Sequence, residues 1–330
     1  MGIQASAEVK YGMIQEAFRQ EGNRLNISAM CRIAGVSRSG YYAWLDAAPV
    51  RQQHEEADLA DFALVKEAYE FRGYKKGARS IYMRLLHLKP AVIMNIKKIR
   101  RLMNKYGLVC PIRQANPYRR LARAMKTNYV ARNEIDRQFR KYAPRQALLT
   151  DITYLFYKNG VCYLSPILDV CTHEALAYEL SDNLRVDFVL AMVDEMCARH
   201  GAELDSTVII HSDQGCHYTS KAFIERLRDA SFVQSMSRRG NCWDNAPQES
   251  FFGHMKDEIA SEIADCETYE QVVSTVDRWM AYYNEERYQW DLQKLSPREY
   301  YRYRTTGVYP LTIGTSKNHR SRGSAPDPEV

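Results

Sequence analysis

No stretch of this 330-residue chain approaches the roughly 18 consecutive apolar residues that a membrane-spanning helix needs. Residues 1–15 also lack the apolar run of a secretory signal, so no membrane partner and a cytoplasmic setting are expected. The eight cysteines (Cys31, Cys110, Cys162, Cys171, Cys197, Cys216, Cys242 and Cys266) form no CxxC pair, and no histidine pair stands beside them at zinc-finger spacing. That argues against a disulfide framework and against a structural zinc site. Negative charge is missing from one long region: residues 71–150 hold 21 Lys and Arg but only two acids, Glu134 and Asp136. Their local charge is 21 minus 2, or +19, in a chain whose total is 46 minus 40, or +6.

A stretch this basic, interleaved with Tyr74, Tyr82, Tyr106, Tyr118 and Tyr129, is the electrostatic footprint of a phosphate-backbone partner. Solvated helix faces, the plain alternative, usually mix both signs. At 45% hydrophobic and 26% charged residues the chain has the composition of a protein that buries a core, and its length allows two or three domains.

Residues 26–45 read as two short helices around a tight turn, with Gly35 in the turn and Ser37 capping the second helix, the spacing of a helix-turn-helix. This defines a first domain over residues 1–50. A second helix-turn-helix is expected over 51–112, where Ile81, Met83, Leu85 and Leu86 precede Pro90 and Val92, Ile96, Ile99 and Leu102 repeat at helical period. Its polar face carries Lys97, Lys98, Arg100, Arg101 and Lys105, the expected DNA-contacting cations. Residues 113–145 stay basic but lose periodicity and read as a linker or arm.

From residue 146 the texture changes. Apolar, β-branched runs at Leu148–Phe156, Val161–Val170 and Ala175–Leu180 predict three strands, the first two joined by a Lys158-Asn159-Gly160 turn. A helix over Val186–Arg199, a strand over Thr207–His211, a helix over Ser220–Asp229 and a strand over Phe232–Met236 follow. The order βββαβαβ predicts a mixed five-stranded sheet with flanking helices, an α/β core over 146–265 preceded by all-α domains. A helix over Tyr269–Tyr288 begins a helical extension, 266–304, and the polar stretch 305–330 reads as a disordered tail.

Three acids stand where such a sheet would gather them. Asp151 lies inside the first predicted strand, where a lone buried carboxylate costs several kcal/mol unless paired. Asp213 directly follows the fourth strand, and Glu249 opens a helix capped by Asn245, with Gln248 placed to complete a capping box. Between Asp213 and Glu249 35 residues intervene (249 minus 213, less one), and Lys256 stands two helical turns beyond Glu249 on the same face. Three converging carboxylates suit a hard dication, Mg²⁺ or Mn²⁺, and two such ions can clamp the attacking and leaving oxygens of a phosphoryl displacement.

The strings Thr150-Asp151-Ile152-Thr153-Tyr154, His211-Ser212-Asp213-Gln214-Gly215 and Gly240-Asn241-Cys242-Trp243-Asp244-Asn245-Ala246-Pro247-Gln248-Glu249-Ser250-Phe251-Phe252, with Lys256 behind them, resemble the DDE transposases of the third insertion-sequence family. The resemblance continues through Tyr282–Trp290 and Leu295–Tyr300 and covers about residues 25–303. It implies an RNase H-like, integrase-related catalytic core. It also implies two Mg²⁺ ions on Asp151, Asp213 and Glu249, with Lys256 on DNA near the active site. The implied reaction is 3′-end cleavage and strand transfer on double-stranded DNA, with terminal inverted repeats and target DNA as partners. A homo-oligomer on DNA is implied too, at the nucleoid, with fusion to or partnership with an upstream-frame DNA-binding product as the alternative to acting alone. Gln289-Trp290 departs from the family's usual histidine. Competing readings are a catalytically inactive DNA-binding regulator and an RNase H-like nuclease that cuts without joining.

Arg238 and Arg239 precede the catalytic helix and suit phosphate clamping, against a solvated loop. His211 and His217 flank Asp213 and read as hydrogen-bond donors around the site, His217 toward DNA. Asp169 is either a further metal ligand or, more simply, a strand-end acid bonding its turn. Trp243 either stacks on a base or plugs its loop.

Overall fold

The computed structural model describes residues 5–74, 76–110, 131–135, 138, 141–204, 207–237 and 245–311. Most of the expected arm, Arg238, Arg239, Trp243 and the tail beyond residue 311 lie outside the described residues. The chain divides into two compact units, residues 1–67 with 101–108 and residues 68–100 with 109–330.

The first unit opens with α1 (Ala7–Arg19), a helix that sequence periodicity passes over because its inward stripe is only Tyr11, Ile14 and Ala17. Next come α2 (Ile27–Ala34) and α3 (Arg38–Asp46). Gly35 closes α2 at φ 66°, ψ 41°, left-handed backbone that glycine adopts without steric cost. Ser37 caps α3 by accepting the Gly40 amide at 3.0 Å. Met30, Cys31, Ile14 and Tyr41 form the small core, with Tyr11 and Trp44 against it. Within this unit α4 (Ala48–Glu70) also meets the last part of α6 (Ile96–Lys105): Arg101 makes a bidentate pair with Asp58 at 2.6 and 2.6 Å, and Tyr106 packs on Phe62 at 4.4 Å between ring centroids.

In the second unit α5 (Ala78–Leu86) precedes the sheet. β1 (Ala147–Thr150), β2 (Thr153–Tyr157), β3 (Gly160–Asp169) and β4 (Ala175–Ser181) lead to α7 (Asp187–His200), β5 (Ile209–Ser212), α8 (Lys221–Asp229) and β6 (Val233–Met236). β3 pairs antiparallel with β1, β2 and β4, while β1, β5 and β6 run parallel to one another. The single first strand expected over 148–156 is thus two segments. Thr150 faces Ile167 and Thr153 faces Leu164, so one register runs through both and they occupy one row of a five-row mixed sheet. That register sets Asp151 opposite Pro166. Proline has no N–H to give the ladder, and the Ile152 amide is turned to the Asp151 carboxylate instead, so pairing breaks there. The Lys158-Asn159 turn joins β2 to β3 with Tyr157 facing Gly160, as expected.

One face of the sheet is covered by α7 and α8 through Val189, Met192, Met196, Phe223 and Leu227. The other is covered by α9 (Ala246–Asp265) and α10 (Tyr269–Glu285) through Phe251, Met255, Ile259, Val276 and Trp279. Covered on both sides, β3 is buried from Ser165 to Asp169. The family-like string after Tyr282 is a latch on this framework. Tyr283 packs on Phe251 and Trp279, at 4.8 and 5.1 Å between centroids, and Arg287 donates to Glu258 at 3.0 Å. Asn284 bonds both the N–H and the C=O of Ala175, each at 2.9 Å, where β4 begins. α11 (Pro297–Thr306) follows, with a capping box between Ser296 and Glu299.

Asn284→Ala strips two buried backbone groups of their partner, at about 1–3 kcal/mol each. The variant is expected to lose about 2–6 kcal/mol of stability in urea denaturation; a midpoint equal to the parent's would show that the latch is dispensable.

Candidate active site

Parallel pairing of β1 with β5 sets Leu149 beside His211, so Asp151 and Asp213, two residues further on each strand, occupy matching places at adjacent C-terminal strand ends. Asp151 is half-buried. Its Oδ1 accepts the Ile152 amide at 2.8 Å and its Oδ2 accepts the Asn245 Nδ2 at 3.4 Å. Removal from water, with the negative charges of Asp213 and Glu249 adding to it, pushes the Asp151 carboxyl up to about 8; the Ile152 N–H and the Lys256 charge oppose this. Asp213 is more exposed and accepts the Gly215 amide at 2.8 Å. Its pKa is also raised by desolvation, against the Gly215 N–H and the His217 charge. A Cβ on Gly215 would stand 2.8 Å from Asp213 Oδ1, so any larger residue there would push the Asp213 carboxylate aside.

Glu249 sits exposed on the first turn of α9, and its charge is felt at Asp151. The expected capping box at this helix start is not formed. Asn245 makes no side-chain cap bond because its amide is turned to Asp151. Among the described residues its Oδ1 and both ends of the fully buried Gln248 amide have no partner. The three acids therefore share one electrostatic neighbourhood, yet among the described residues no three Asp, Glu, His or Cys groups stand close enough together to hold an ion as they are.

Lys256, half-buried on α9, acts on Asp151 through its charge. His217 rests its Nε2 on the Leu184 carbonyl at 3.0 Å. His211 does not face the site: it is fully buried and bonds the Ser235 and Ser237 hydroxyls at 2.8 and 3.1 Å, because its strand position points it beneath the sheet's end toward β6. Asp169 bonds its own turn, accepting the Cys171 amide at 2.7 Å and the Arg145 amide at 2.8 Å.

Of the expected DNA-contacting cations, Lys97 and Arg100 are exposed, and Lys98 is half-buried. Arg101 and Lys105 are instead joined to acids of α4, Lys105 reaching Asp58 at 2.8 Å as well as Glu55. Those hydrogen bonds, with Arg101 first, hold Asp58 well below the usual carboxylate range. Elsewhere in the basic region Arg72 pairs with Glu286 at 2.7 Å, Lys76 is buried among the carbonyls of Tyr69, Phe71 and Tyr74, and Arg145 is buried among acids. Among the described residues of this region, Arg72, Arg101, Lys105 and Arg145 are thus paired with acids of the chain itself. Sequence reasoning missed Asn245 as the partner of Asp151 and Arg145 as a buried hub. The first had a signal, an Asn four residues before Glu249; the second had none.

Family models described as "Integrase core domain" match residues 141–242 and 231–297, and one described as "HTH-like domain" matches residues 55–116. An "Uncharacterized transposase-like protein" of Haemophilus influenzae is 35% identical over 216 residues, 64% of this chain and 95% of that one. The "Putative transposase InsK for insertion sequence element IS150" of Escherichia coli K12 is 27% identical over 274 residues, 83% of this chain and 93% of that one. Among solved structures, the HTLV-2 integrase catalytic core in complex with magnesium aligns at 13% identity and a TM-score of 0.39, over 48% of this chain and 97% of that one. Among the described residues no helix is long and apolar enough to cross a membrane.

Proposed function

The chain belongs to the DDE transposases of the third insertion-sequence family, and from that premise we propose that it cuts a DNA strand to a 3′-hydroxyl and joins that hydroxyl to a target strand, with Asp151, Asp213 and Glu249 as the catalytic acids. The observation that carries this reading is the pairing of Asp151 and Asp213 on adjacent parallel strand ends, with Glu249 in the same charge field.

The donor set fits a hard divalent cation. It is all carboxylate oxygen, it crowds like charges around a half-buried aspartate, and beside it stands a buried Asn245 oxygen that has no partner among the described residues. Asp151, Asp213 and Glu249 would hold Mg²⁺, with Mn²⁺ as a substitute and two ions as the proposed number; when bound, such ions stabilise charge on the phosphate and lower the pKa of the attacking oxygen. The chain's own residues supply the rest. The Ile152 amide and Asn245 fix the Asp151 carboxylate, and the Gly215 amide fixes that of Asp213. Lys256 offers a cation for the phosphate backbone and, acting on Asp151, favours its ionised form. Double-stranded DNA, both terminal repeats and target, is the proposed partner, bound by a homo-oligomer.

Incubating the full chain with Mg²⁺ and a duplex carrying the element's terminal repeat tests this. Joined product is expected. Cleaved but unjoined strands would favour a nuclease, and neither product a binding protein without chemistry. On a pre-cleaved end, Lys256→Ala is expected to lower joining about ten- to a hundredfold, since a charge-assisted contact contributes about 1.5–3 kcal/mol. Lys256→Arg should keep more of it. Unchanged joining by the alanine variant at limiting DNA would leave Lys256 an ordinary surface lysine.

A further inference from the structure

We propose that the N-terminal three-helix bundle reads DNA sequence, with α3 as the helix that enters the major groove and Arg38, Ser39 and Tyr42 as the side chains meeting base edges, while α6 contributes only sequence-independent charge. This rests on the DNA-transposing reading above and assigns its sequence recognition. The matching helix-turn-helix-like family model covers residues 55–116 and leaves the α1–α3 bundle outside it.

Four observations converge on α3. Its two faces are sharply divided: Tyr41 is buried among Ile14, Met30 and Cys31 with Trp44 beside it, whereas Arg38, Ser39 and Tyr42 are exposed, Tyr42 at 47%. These exposed residues lie in the first turns of the helix, the part that a second helix of this motif points at bases. Charge is also uneven along the bundle. Residues 22–45 carry Arg24, Arg32 and Arg38 and no acid, while the acids of the bundle, Glu8, Glu16, Glu21 and Asp46, lie outside that segment. The seat of α3 is also tightly set. A Cβ on Gly40 would collide with the Tyr11 hydroxyl, so α3 lies close on α1 there, and the Gly35 turn with the Ser37 cap fixes its entry. Finally, α6 is the poorer reader: Arg101 and Lys105 are held by Asp58 and Glu55, which leaves Lys97 and Arg100 as its fully exposed cations.

Arginine forks suit guanine edges, and tyrosine offers a ring to thymine methyls with a hydroxyl for hydrogen bonding. Phosphate-contacting cations behave differently, because they change affinity for every sequence and the salt dependence with it.

The test measures binding of the full chain to the element's terminal repeat and to an unrelated duplex of equal length, each over a salt series. Arg38→Ala and Tyr42→Ala are each expected to lower the ratio of the two affinities roughly tenfold. Arg38→Lys should lower that ratio while keeping the salt slope, because charge survives and the planar fork does not. Lys97→Ala and Arg100→Ala should weaken both duplexes alike and reduce the log–log salt slope by about 0.9 each. Both α3 side chains are exposed, so parental melting temperatures are expected and verify folding. Variants of Arg38 and Tyr42 that keep the parent's ratio would overturn the proposal and leave the transposase reading standing, as would a parent chain that binds both duplexes equally. A parent chain that binds neither would overturn both.

Discussion

Asp151→Asn is expected to bind duplex DNA as the parent does, to give neither cleaved nor joined strands, and to melt higher than the parent in buffer free of divalent ions. The loss of chemistry would follow from removing a proposed metal-holding carboxylate, whereas DNA affinity is expected to come from cations elsewhere. The gain in melting temperature follows from linkage. The folded-state pKa of Asp151, about 8, lies above its unfolded value near 4, so between those pH values the folded chain binds a proton that the unfolded chain does not. The ionised carboxylate therefore costs stability, and the cost grows as pH rises from about 4 to about 8. The neutral amide removes a penalty of order a few kcal/mol near pH 8. Mg²⁺ should raise the melting temperature of the parent and have much less effect on the variant. Strand joining at near the parental rate would remove Asp151 from the catalytic set, and an unchanged or lower melting temperature without divalent ions would show that its charge is not crowded.

Arg145→Met should cost about 3–5 kcal/mol, the range for removing one partner of a buried ion pair. Arg145 is 2% exposed, with its guanidinium at 3.2 Å from Asp169 and 2.8 Å from Glu174, both buried, and over the Tyr301 ring at 4.0 Å. Taking the cation away leaves Asp169 in the second unit's interior without its guanidinium partner, and leaves Glu174 with Arg298 at 3.1 Å as its remaining cation. Desolvation already raises the pKa of Asp169, so loss of Arg145 should drive it further toward the protonated form. Adding Asp169→Asn to the Arg145 variant should recover part of the loss, since one uncompensated charge then disappears. Thermal and urea melting of the two variants decide this; a single variant as stable as the parent would mean that water or rearrangement replaces the guanidinium. Asp169→Asn on its own settles the role of Asp169. Asp169→Asn that folds less stably but joins strands at the parental rate per folded molecule is a turn residue. One that folds normally and joins nothing is a metal ligand.

The sequence by itself determined what depends on near neighbours. Apolar, β-branched runs and helical periodicity marked the strands and helices of the sheet domain, Gly35 and Ser37 marked the turn and cap of the first helix-turn-helix, and acids at strand and helix ends marked the candidate site. Its motif strings also sufficed for the family.

What the sequence left open depends on partners far away in the chain. The break in the first strand at Asp151 comes from Pro166, which only the β1–β3 register brings opposite it. Asn245 and Gln248 have the spacing of a capping box, but a contact 94 residues away draws the Asn245 amide to Asp151 instead. The cations of α6 look free in a sequence window, yet Asp58, 43 residues before Arg101, neutralises part of that face. Arg145 looks like one more basic linker residue until folding surrounds it with Asp169, Glu174 and Glu203. The physical reason is common to all four. Backbone preference and hydrophobic period act over a few residues, whereas a charge or a polar amide takes its role from the groups that folding packs against it, and those are chosen by the register and packing of the whole sheet.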